Sequence, residues 1–334
     1  MDHGSGGRAS HRLINGLFRR CLAESGPESM DDAACLDLSG PLAFSTDSFT
    51  VDPLFFPGGD IGSLAVHGTV NDLAMLGAVP RFLSCAFIIE EGFELDSLER
   101  IVLSMAEASR RCQARIATGD TKVVPKGGLD RLFINTSGIG ALMAVPPPAG
   151  HRAAPGDAIL VSGDLGDHGL TIMNSRSGFG FKTSVQSDSA PLIAPVQALM
   201  RGIGDIHVLR DPTRGGLATT LAEIAEQSGV DMLIDEEALP VNPETAALCR
   251  ALGLDPLYLA NEGKFICILP SSLAEKALEI MRADPLCRKA ARIGTVDVPA
   301  AEPSLRPGRV ILRTVLGGRR LLNMLEGRPL PRIC

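Results

Sequence analysis

The pattern that most restricts the fold of this 334-residue chain is a repeated alternation between short apolar stretches and longer amphipathic ones. The segment LDSLERIVLSMAEASRRC, residues 95–112, places Leu98, Val102 and Met105 on one face of a predicted helix. The stretches RFLSCAFIIE before it and ARIATGD after it are short, apolar and typical of strands. The same reasoning predicts a strand at LAFSTDSF and a helix over residues 60–78. Such segments recur along the chain, which predicts an α/β or α+β protein.

A Pro- and Gly-rich stretch, VPPPAGHRAAPGD, interrupts this alternation near residue 150. A chain of this length folds more often as two domains than as one, and strand and helix patterns resume after the interruption, so we expect a domain boundary there. The beginning of the chain is rich in Gly, Ser and Asp, and its end is rich in Pro. The predicted organisation is an N-terminal arm (residues 1–40), a first domain (41–150), a second domain (151–316) and a mobile C-terminal tail (317–334).

The composition excludes several kinds of partner. The net charge is −7 without a block of basic residues, Trp is absent and aromatic residues are 4% of the chain, so we expect no nucleic-acid ligand. No stretch approaches the roughly 18 consecutive apolar residues of a membrane-spanning helix, and the first ten residues lack the apolar core of a signal peptide. The eight cysteines form no C-x-x-C pair and mostly lie in apolar stretches, which is typical of reduced thiols. We therefore expect a cytoplasmic protein without a membrane partner.

Several acidic residues of the first half share a position at the ends of predicted elements. Asp47 follows a strand in FSTDSF, Asp120 follows another in ATGDTKVV, and Asp72 lies on the predicted helix. Asp32 precedes an apolar stretch in MDDAACLDL. Carboxylates that meet at one edge of a sheet are commonly bridged by Mg²⁺ together with nucleotide phosphates, and Lys122 would add a positive charge for a phosphate. Each aspartate alone is better explained by a turn or a helix cap, but the set, with Lys122 and the Gly-rich arm, favours a metal–nucleotide site.

Two further features agree with a phosphate site without requiring one. The arm HGSGGR lacks the pattern of a P-loop, but the backbone N–H groups of Gly4, Gly6 and Gly7 could lie over phosphates. In the second half, LRDPTRGGLATTLAEIA places Asp211 at the start of a predicted helix, where anions can bind. The pattern alone favours an ordinary capped helix start. Glu262, in ANEGKF, is either a buried general base or a loop charge.

The chain ends in GRPLPRIC, so that a thiol, Cys334, is its last side chain. Termini are usually frayed and without function, which is one explanation. The other is that the tail carries a group on this thiol, because a Pro-rich segment prefers an extended conformation and has a long reach. The neighbouring Arg332 would favour the thiolate form, and the adjacent terminal carboxylate would oppose it.

The motifs STDSF, GGDIG, GTVNDLA, GDTKVV, FINTSGIG, GDHG, DPTRGG, NEGK and the terminal PRIC occur in this order along the chain. Together they closely resemble the HypE family of hydrogenase maturation proteins, the carbamoyl dehydratases of the PurM-like (aminoimidazole ribonucleotide synthetase-like) superfamily. The resemblance covers essentially the whole chain. The superfamily shares the aspartate pattern, and the terminal PRIC distinguishes this family within it.

The resemblance implies a fold, a reaction and partners. The fold would be two α/β domains, with the first forming a shared β-barrel across a homodimer and ATP bound at that interface. A partner carbamoyltransferase, HypF, would place a carbamoyl group on the terminal thiol, and ATP would drive its dehydration to a thiocyanate. The cyano group would then pass to iron on a HypC–HypD scaffold complex, for the active site of a [NiFe]-hydrogenase.

The resemblance also implies roles for the residues singled out above. Cys334 would be the covalent carrier, Glu262 the general base and Lys122 the cation that stabilises phosphoryl charge. The glycines of the arm, with Asp47, Asp72, Asp120 and Lys122, would bind ATP. Mg²⁺ would be held by Asp32, Asp47, Asp72, Asp120 and Asp211.

Two other functions compete with this one. The first is another ATP enzyme of the superfamily, a small-molecule kinase or a selenophosphate synthetase. The latter would be expected to carry a reactive Cys or selenocysteine in the arm, which here reads HGSGGR, and a kinase has no use for a terminal thiol. The second is a non-catalytic assembly scaffold, which predicts that Cys334 tolerates replacement by Ser.

Overall fold

The structure, a computed structural model, describes residues 8–23, 25–26, 33–176, 180–299, 308–324 and 332–334. Two α/β units follow each other along the chain, as predicted. The elements of the first, in chain order, are α1 (Arg8–Leu13), a π-helical turn (Ile14–Phe18), α2 (Arg19–Cys21), β1 (Leu42–Phe49), β2 (Phe55–Phe56), β3 (Gly59–Asp60), α3 (Ile61–Met75), β4 (Ala78–Glu90), α4 (Leu95–Cys112), β5 (Arg115–Val124) and β6 (Leu132–Leu142).

The first unit is a four-stranded sheet, in the order β1-β6-β4-β5, with helices on one face. Only β4 and β5 are parallel, which fits their connection through α4. Helix α3 is buried on nearly all sides between the sheet and α4. Asp60 fixes its start, because its carboxylate accepts the N–H groups of Gly62 at 2.7 Å and Ser63 at 3.0 Å. Gly68 allows α3 to approach β1 closely, since a Cβ there would lie 2.7 Å from the ring of Phe49.

The elements of the second unit, in chain order, are β7 (Asp157–Val161), α5 (Asp167–Ser175), α6 (Ile193–Gly202), β8 (Val208–Arg210), α7 (Gly216–Ser228), β9 (Asp231–Asp235), α8 (Pro243–Leu252), β10 (Ile266–Pro270), α9 (Ala274–Ala283), β11 (Ala291–Asp297), β12 (Val310–Arg313) and β13 (Arg319–Leu322). They form a seven-stranded sheet covered on both faces, with strand order β13-β12-β9-β11-β7-β10-β8. Helix α7 packs on one face, and α6 and α9 pack on the other. The central strand β7 is therefore apolar and buried at every position after its first residue.

Both ends of the chain are more structured than we predicted. Arg319–Leu322 pairs with β12 as an antiparallel hairpin, so the second domain extends beyond residue 316 and the predicted tail boundary at 317 is wrong. At the other end, the helical patch in the arm packs on the first domain through Leu17 and Phe18, and the ring of Phe18 lies 4.9 Å from that of Phe87. In the part of the chain that the structure describes, no helix has the length and apolar character needed to cross a membrane.

Candidate active site

The end of the tail is docked against the first domain. The N–H of Thr50 donates to the main-chain oxygen of Cys334 at 3.1 Å, and that of Asp52 donates to Arg332 at 3.2 Å, as in an antiparallel strand pair. Ile333 and Cys334 are buried and join the core of this domain. The tail that we predicted to be mobile thus ends, in this structure, in a defined seat.

Acidic groups surround the docked thiol. Burial raises the pKa of Cys334 well above its ordinary value. The nearby carboxyls of Glu262 and Asp47 raise this pKa further, and the guanidinium of Arg214 opposes them. A thiol in these surroundings is protonated and a poor nucleophile while it is docked.

Arg332 does not influence the thiol in the way that we predicted. Its guanidinium forms an ion pair with Asp130, and its Nε donates to the main-chain oxygen of Thr50 at 2.8 Å. The guanidinium is therefore engaged by Asp130 and Thr50. The pKa of Cys334 is set instead by burial, by its acidic neighbours and by Arg214. The prediction that Arg332 favours the thiolate is therefore wrong for the docked tail.

Glu262 is buried close to the thiol, and its Oε1 atom has no hydrogen-bond partner among the described residues. Burial raises the pKa of Glu262 well above the ordinary value, and the carboxyls of Asp211 and Asp188 raise it further. The backbone here is fixed, because Asp188 accepts the N–H groups of Glu262 at 3.1 Å and Gly263 at 3.3 Å. A buried, unpartnered carboxyl with a raised pKa is a typical general acid or base.

Three of the predicted aspartates lie near one another at the junction of the two domains. Burial and the carboxylate of Asp47 raise the pKa of Asp72, which accepts a hydrogen bond from Ser45 Oγ at 2.7 Å. Burial and then the carboxylate of Asp72 raise the pKa of Asp211 to about 7. Carboxylates raise each other's pKa in this way because their negative charges repel, and a cation bound among them would relieve this repulsion.

Asp120 and Lys122 do not join this group within one chain. Asp47 does not end β1, and Asp120 lies in the middle of β5, because the strand ladders continue past both residues. In the register of the sheet, Asp47 belongs to the row of Thr136 on the face that α3 covers, whereas Asp120 belongs to the row of Asn135 on the opposite face. Successive side chains of a strand point to opposite faces, so the prediction that these carboxylates converge in one chain is wrong.

A cavity of about 530 Å³ lies at the domain junction beside the aspartates. Asp72 and Asp211 line it together with two arginines that our sequence analysis did not single out, Arg210 and Arg214. Arg210 pairs with Glu223 at 2.8 Å, while no hydrogen bond or ion pair joins Arg214 to another described residue. The signal for Arg214 was present in the motif DPTRGG, next to Asp211.

The loop that carries Asp211 is fixed where it enters α7. A Cβ on Gly216 would lie 2.5 Å from the main-chain oxygen of Leu257, so only glycine fits this position. Asn261 joins the same loop to its surroundings, since its Nδ2 donates to Pro212 O at 2.9 Å and its Oδ1 accepts the N–H of Gly166 at 2.8 Å. This bonding places Asp211 and Glu262 on one rigid support.

The acidic group suits a Mg–nucleotide ligand better than a bare metal ion. Among the described ranges, no three carboxylate, imidazole or thiol groups already lie close enough to hold a metal. Mg²⁺ usually takes one or two protein carboxylates and completes its shell with phosphate oxygens and water, and the cavity with Arg214 offers space and charge for phosphates. Four predicted residues, Asp32, Gly4, Gly6 and Gly7, lie outside the described residues.

Comparisons with known proteins place this geometry in a family. Residues 30–142 match the N-terminal domain, and residues 154–301 the C-terminal domain, of AIR synthase related proteins. The chain is 51% identical over 338 residues to the carbamoyl dehydratase HypE of Azotobacter vinelandii, covering 100% of this chain and 96% of the relative. It superposes with a TM-score of 0.96 and 59% identity on a crystal structure of HypE in complex with ATP, covering 100% and 99% of the two chains. With HypE in a solved HypE–HypF complex the TM-score is 0.81 and the identity 45%, over 96% and 100% of the chains.

The family domains account for most of the chain, and the similarity to HypE proteins extends over all of it. The cysteine-terminated tail lies within the part that is similar. The chain therefore belongs to the HypE family, whose two-domain, PurM-like architecture is that of the AIR synthase related proteins.

Proposed function

We propose that this protein is an ATP-dependent carbamoyl dehydratase that converts an S-carbamoyl group on Cys334 into a thiocyanate. The observation that carries the proposal is the docked tail, which buries its thiol beside Glu262 and the group of Asp47, Asp72 and Asp211. Relatives named carbamoyl dehydratase, and a relative solved with ATP, support the same reaction.

The reaction balances without an external oxidant or reductant. The carbamoyl oxygen attacks the γ-phosphorus of ATP, and ADP leaves. The activated carbon then loses this oxygen as inorganic phosphate, and the nitrogen loses both protons, which leaves S–C≡N. The S–C bond stays intact throughout, so a docked sulfur without thiolate character is suited to this step.

The residues of the site divide between the two halves of this reaction. Asp47, Asp72 and Asp211 would hold Mg²⁺, which when bound neutralises phosphate charge, and Arg214 would face the phosphates in the adjoining cavity. Glu262 would accept a proton from the carbamoyl nitrogen. Mg²⁺ held by Asp47, Asp72 and Asp211 would offset the negative charge of carboxylates that raise the pKa of Glu262, which would favour the basic form of this group.

Loading and unloading of the thiol would take place away from this seat. A buried, protonated thiol cannot receive a carbamoyl group efficiently, so the tail must leave the site to meet a carbamoyltransferase. A relative has been solved in a HypE–HypF complex, which supports HypF as this partner. The cyano group would then pass to iron on a HypC–HypD scaffold for a [NiFe]-hydrogenase.

The open face of the first sheet supports a homodimer. This face carries Phe44, 66% exposed, and Ile88, 39% exposed, and Ile88 pairs directly with Lys122 in the ladder between β4 and β5. A second copy that covered it with its own sheet would bury these apolar side chains in a shared barrel. Asp120 and Lys122, at the edge strand, would then act on nucleotide bound at the interface between two copies.

The exchange Glu262→Gln tests the base. The amide keeps the shape of the side chain but cannot accept the proton, so carbamoylated protein should retain its carbamoyl group in Mg–ATP, while the parent loses the mass of one water from its C-terminal peptide. The variant should also be more stable, because a carboxyl with a raised pKa destabilises the folded state as the pH rises above its unfolded pKa.

Mass spectrometry and thermal unfolding check both parts of this prediction. At pH 8 we expect the Tm to rise by at least about 2 °C, the shift that 1 kcal/mol produces in a domain of 150–250 residues. The gain should shrink as the pH falls through 4.5, the ordinary pKa of a glutamate, because below it Glu262 is protonated in both states of the parent. Water loss at the parent rate would exclude Glu262 as the base.

Mg²⁺ affinity should increase with pH. Because the pKa of Asp211 lies at about 7 and that of Asp72 is also raised, cation binding must displace protons at neutral pH. Titration calorimetry of Mg–ATP between pH 6 and 8, in buffers of different ionisation enthalpy, should show proton release that diminishes toward pH 8. Binding without proton release at pH 6.5 would contradict a site built from these carboxyls.

A further inference from the structure

Side chains of the second domain hold the docked tail through its backbone. His168 Nε2 donates to the main-chain oxygen of Ile333 at 2.8 Å. The Arg176 guanidinium donates to the main-chain oxygen of Arg332 at 2.7 Å and, through Nε, to that of Asp52 at 2.9 Å. The end of the tail thus lies between residues 50–52 of the first domain and the side chains of His168 and Arg176 of the second.

The bonds from His168 and Arg176 to the tail both go to main-chain oxygens, those of Ile333 and Arg332. Within the residues that the structure describes, none of the hydrogen bonds to the tail involves the sulfur of Cys334. The same seat can therefore accept the tail whether the sulfur carries hydrogen, a carbamoyl group or a cyano group. Such a seat suits a carrier tail because the group on its sulfur changes while the tail is bound.

The hydrogen bonds around His168 fix its tautomer. Its Nε2 must donate, because the oxygen of Ile333 is only an acceptor, so Nδ1 of the neutral ring accepts from Ser187 Oγ at 2.8 Å. Ser187 Oγ in turn accepts the N–H of Ser189 at 3.1 Å. Burial lowers the pKa of His168, which agrees with a neutral ring in this chain of bonds.

The same short segment also fixes the backbone of the proposed base. Asp188, between Ser187 and Ser189, accepts the N–H of Glu262 and forms a buried ion pair with Lys264 at 3.1 Å. Residues 187–189 therefore contact the tail on one side, through His168, and the backbone of Glu262 on the other. A shift of His168 would therefore change the distance between the thiol and the base.

We propose that His168 and Arg176 form a main-chain clamp that seats the tail and, through residues 187–189, positions the group on Cys334 against Glu262. Both are positioning residues. The part of this inference that concerns the placement of the group on Cys334 against Glu262 rests on the proposed dehydration. The left-handed backbone of Arg332, with φ of +55°, shows that the tail takes an unfavourable conformation to reach this seat, which the clamp must compensate.

Accessibility of the thiol and the dehydration rate are measured separately. Arg176→Met and His168→Leu remove the clamp, and His168→Gln retains an N–H donor for Ile333. Arg201→Met is the matched control, since Arg201 lies in the last turn of α6 and its exposed side chain bonds only to Gln197 within the described part of the chain. At saturating Mg–ATP, iodoacetamide labelling of Cys334 is followed by peptide mass spectrometry, with the exposed Cys35 as internal reference. Single-turnover water loss is followed on carbamoylated protein.

We expect the clamp variants to label Cys334 about tenfold faster and to lose water about tenfold more slowly, since each loses a strong hydrogen bond to the tail. The KM for ATP should be unchanged, His168→Gln should recover most of the parent behaviour, and Arg201→Met should match the parent. Parent-like labelling of Cys334 in folded Arg176→Met overturns the clamp, and fast labelling with parent-like water loss overturns the positioning role. Should the parent itself lose no water, the proposed function fails, while labelling still decides whether the clamp exists.

Discussion

Replacing Cys334 by Ser is expected to abolish thiocyanate formation while leaving ATP binding and the docked tail intact. A hydroxyl has a much higher pKa than a thiol and is a far poorer nucleophile, so the variant should not accept the carbamoyl group. The seat should survive, because Thr50, His168 and Arg176 bond to main-chain oxygens of the tail. We expect product below about one thousandth of the parent amount, a loss typical of removing a covalent nucleophile.

The matched control is Cys35→Ser, which makes the same exchange at an exposed cysteine. It should form product at the parent rate. Peptide mass spectrometry after incubation with carbamoyltransferase, carbamoyl donor and Mg–ATP distinguishes the two variants. Product from the Cys334→Ser variant, or modification of another cysteine in the parent, would favour the assembly scaffold over the carrier.

Asp72→Asn should reduce Mg²⁺-dependent ATP turnover at least about 100-fold without unfolding the protein, because a metal ligand contributes several kcal/mol to transition-state stabilisation. Asn can still accept the hydrogen bond from Ser45 Oγ, so the shape of the site is retained and only the charge is lost. Loss of this charge should also lower the pKa of Asp211, since Asp72 is its largest electrostatic cause of elevation.

The control for this change is Asp96→Asn, which neutralises an exposed carboxylate in the first turn of α4. ADP release measured against Mg²⁺ concentration should show parent behaviour for this control and a strongly reduced maximum for Asp72→Asn. Turnover at the parent rate in Asp72→Asn would mean that the metal site lies elsewhere in the fold.

Local sequence patterns predicted the elements of this fold well. The amphipathic period of residues 95–112 gave the limits of α4, and the alternation near LAFSTDSF gave β1, because burial on one face imposes a regular spacing. Residues 319–322 were missed as a strand, since RRLL carries little apolar signal and gains its structure by pairing with β12. Strand order across both sheets depends on contacts between distant segments and was not predictable from periodicity.

The site was predicted in its residue types more than in its geometry. Asp72, Asp211 and Glu262 were selected from motifs and lie together, whereas Asp47 and Asp120 were expected to meet and point to opposite faces of one sheet. The direction of a strand side chain depends on register, which the sequence of a single strand does not reveal. The contacts of His168 with the tail join residues 165 positions apart, so the motif GDHG alone could not indicate them.

The fate of the carbamoyl oxygen tests the proposed reaction most directly. Protein carbamoylated on Cys334 with an ¹⁸O-labelled carbamoyl group is given Mg–ATP for one turnover, and the inorganic phosphate and the C-terminal peptide are analysed by mass spectrometry. Activation of the oxygen by phosphorylation predicts one ¹⁸O atom in each phosphate released, together with an unlabelled thiocyanate on Cys334. Label that appears in water, or that stays on the peptide while ATP is consumed, would contradict the mechanism.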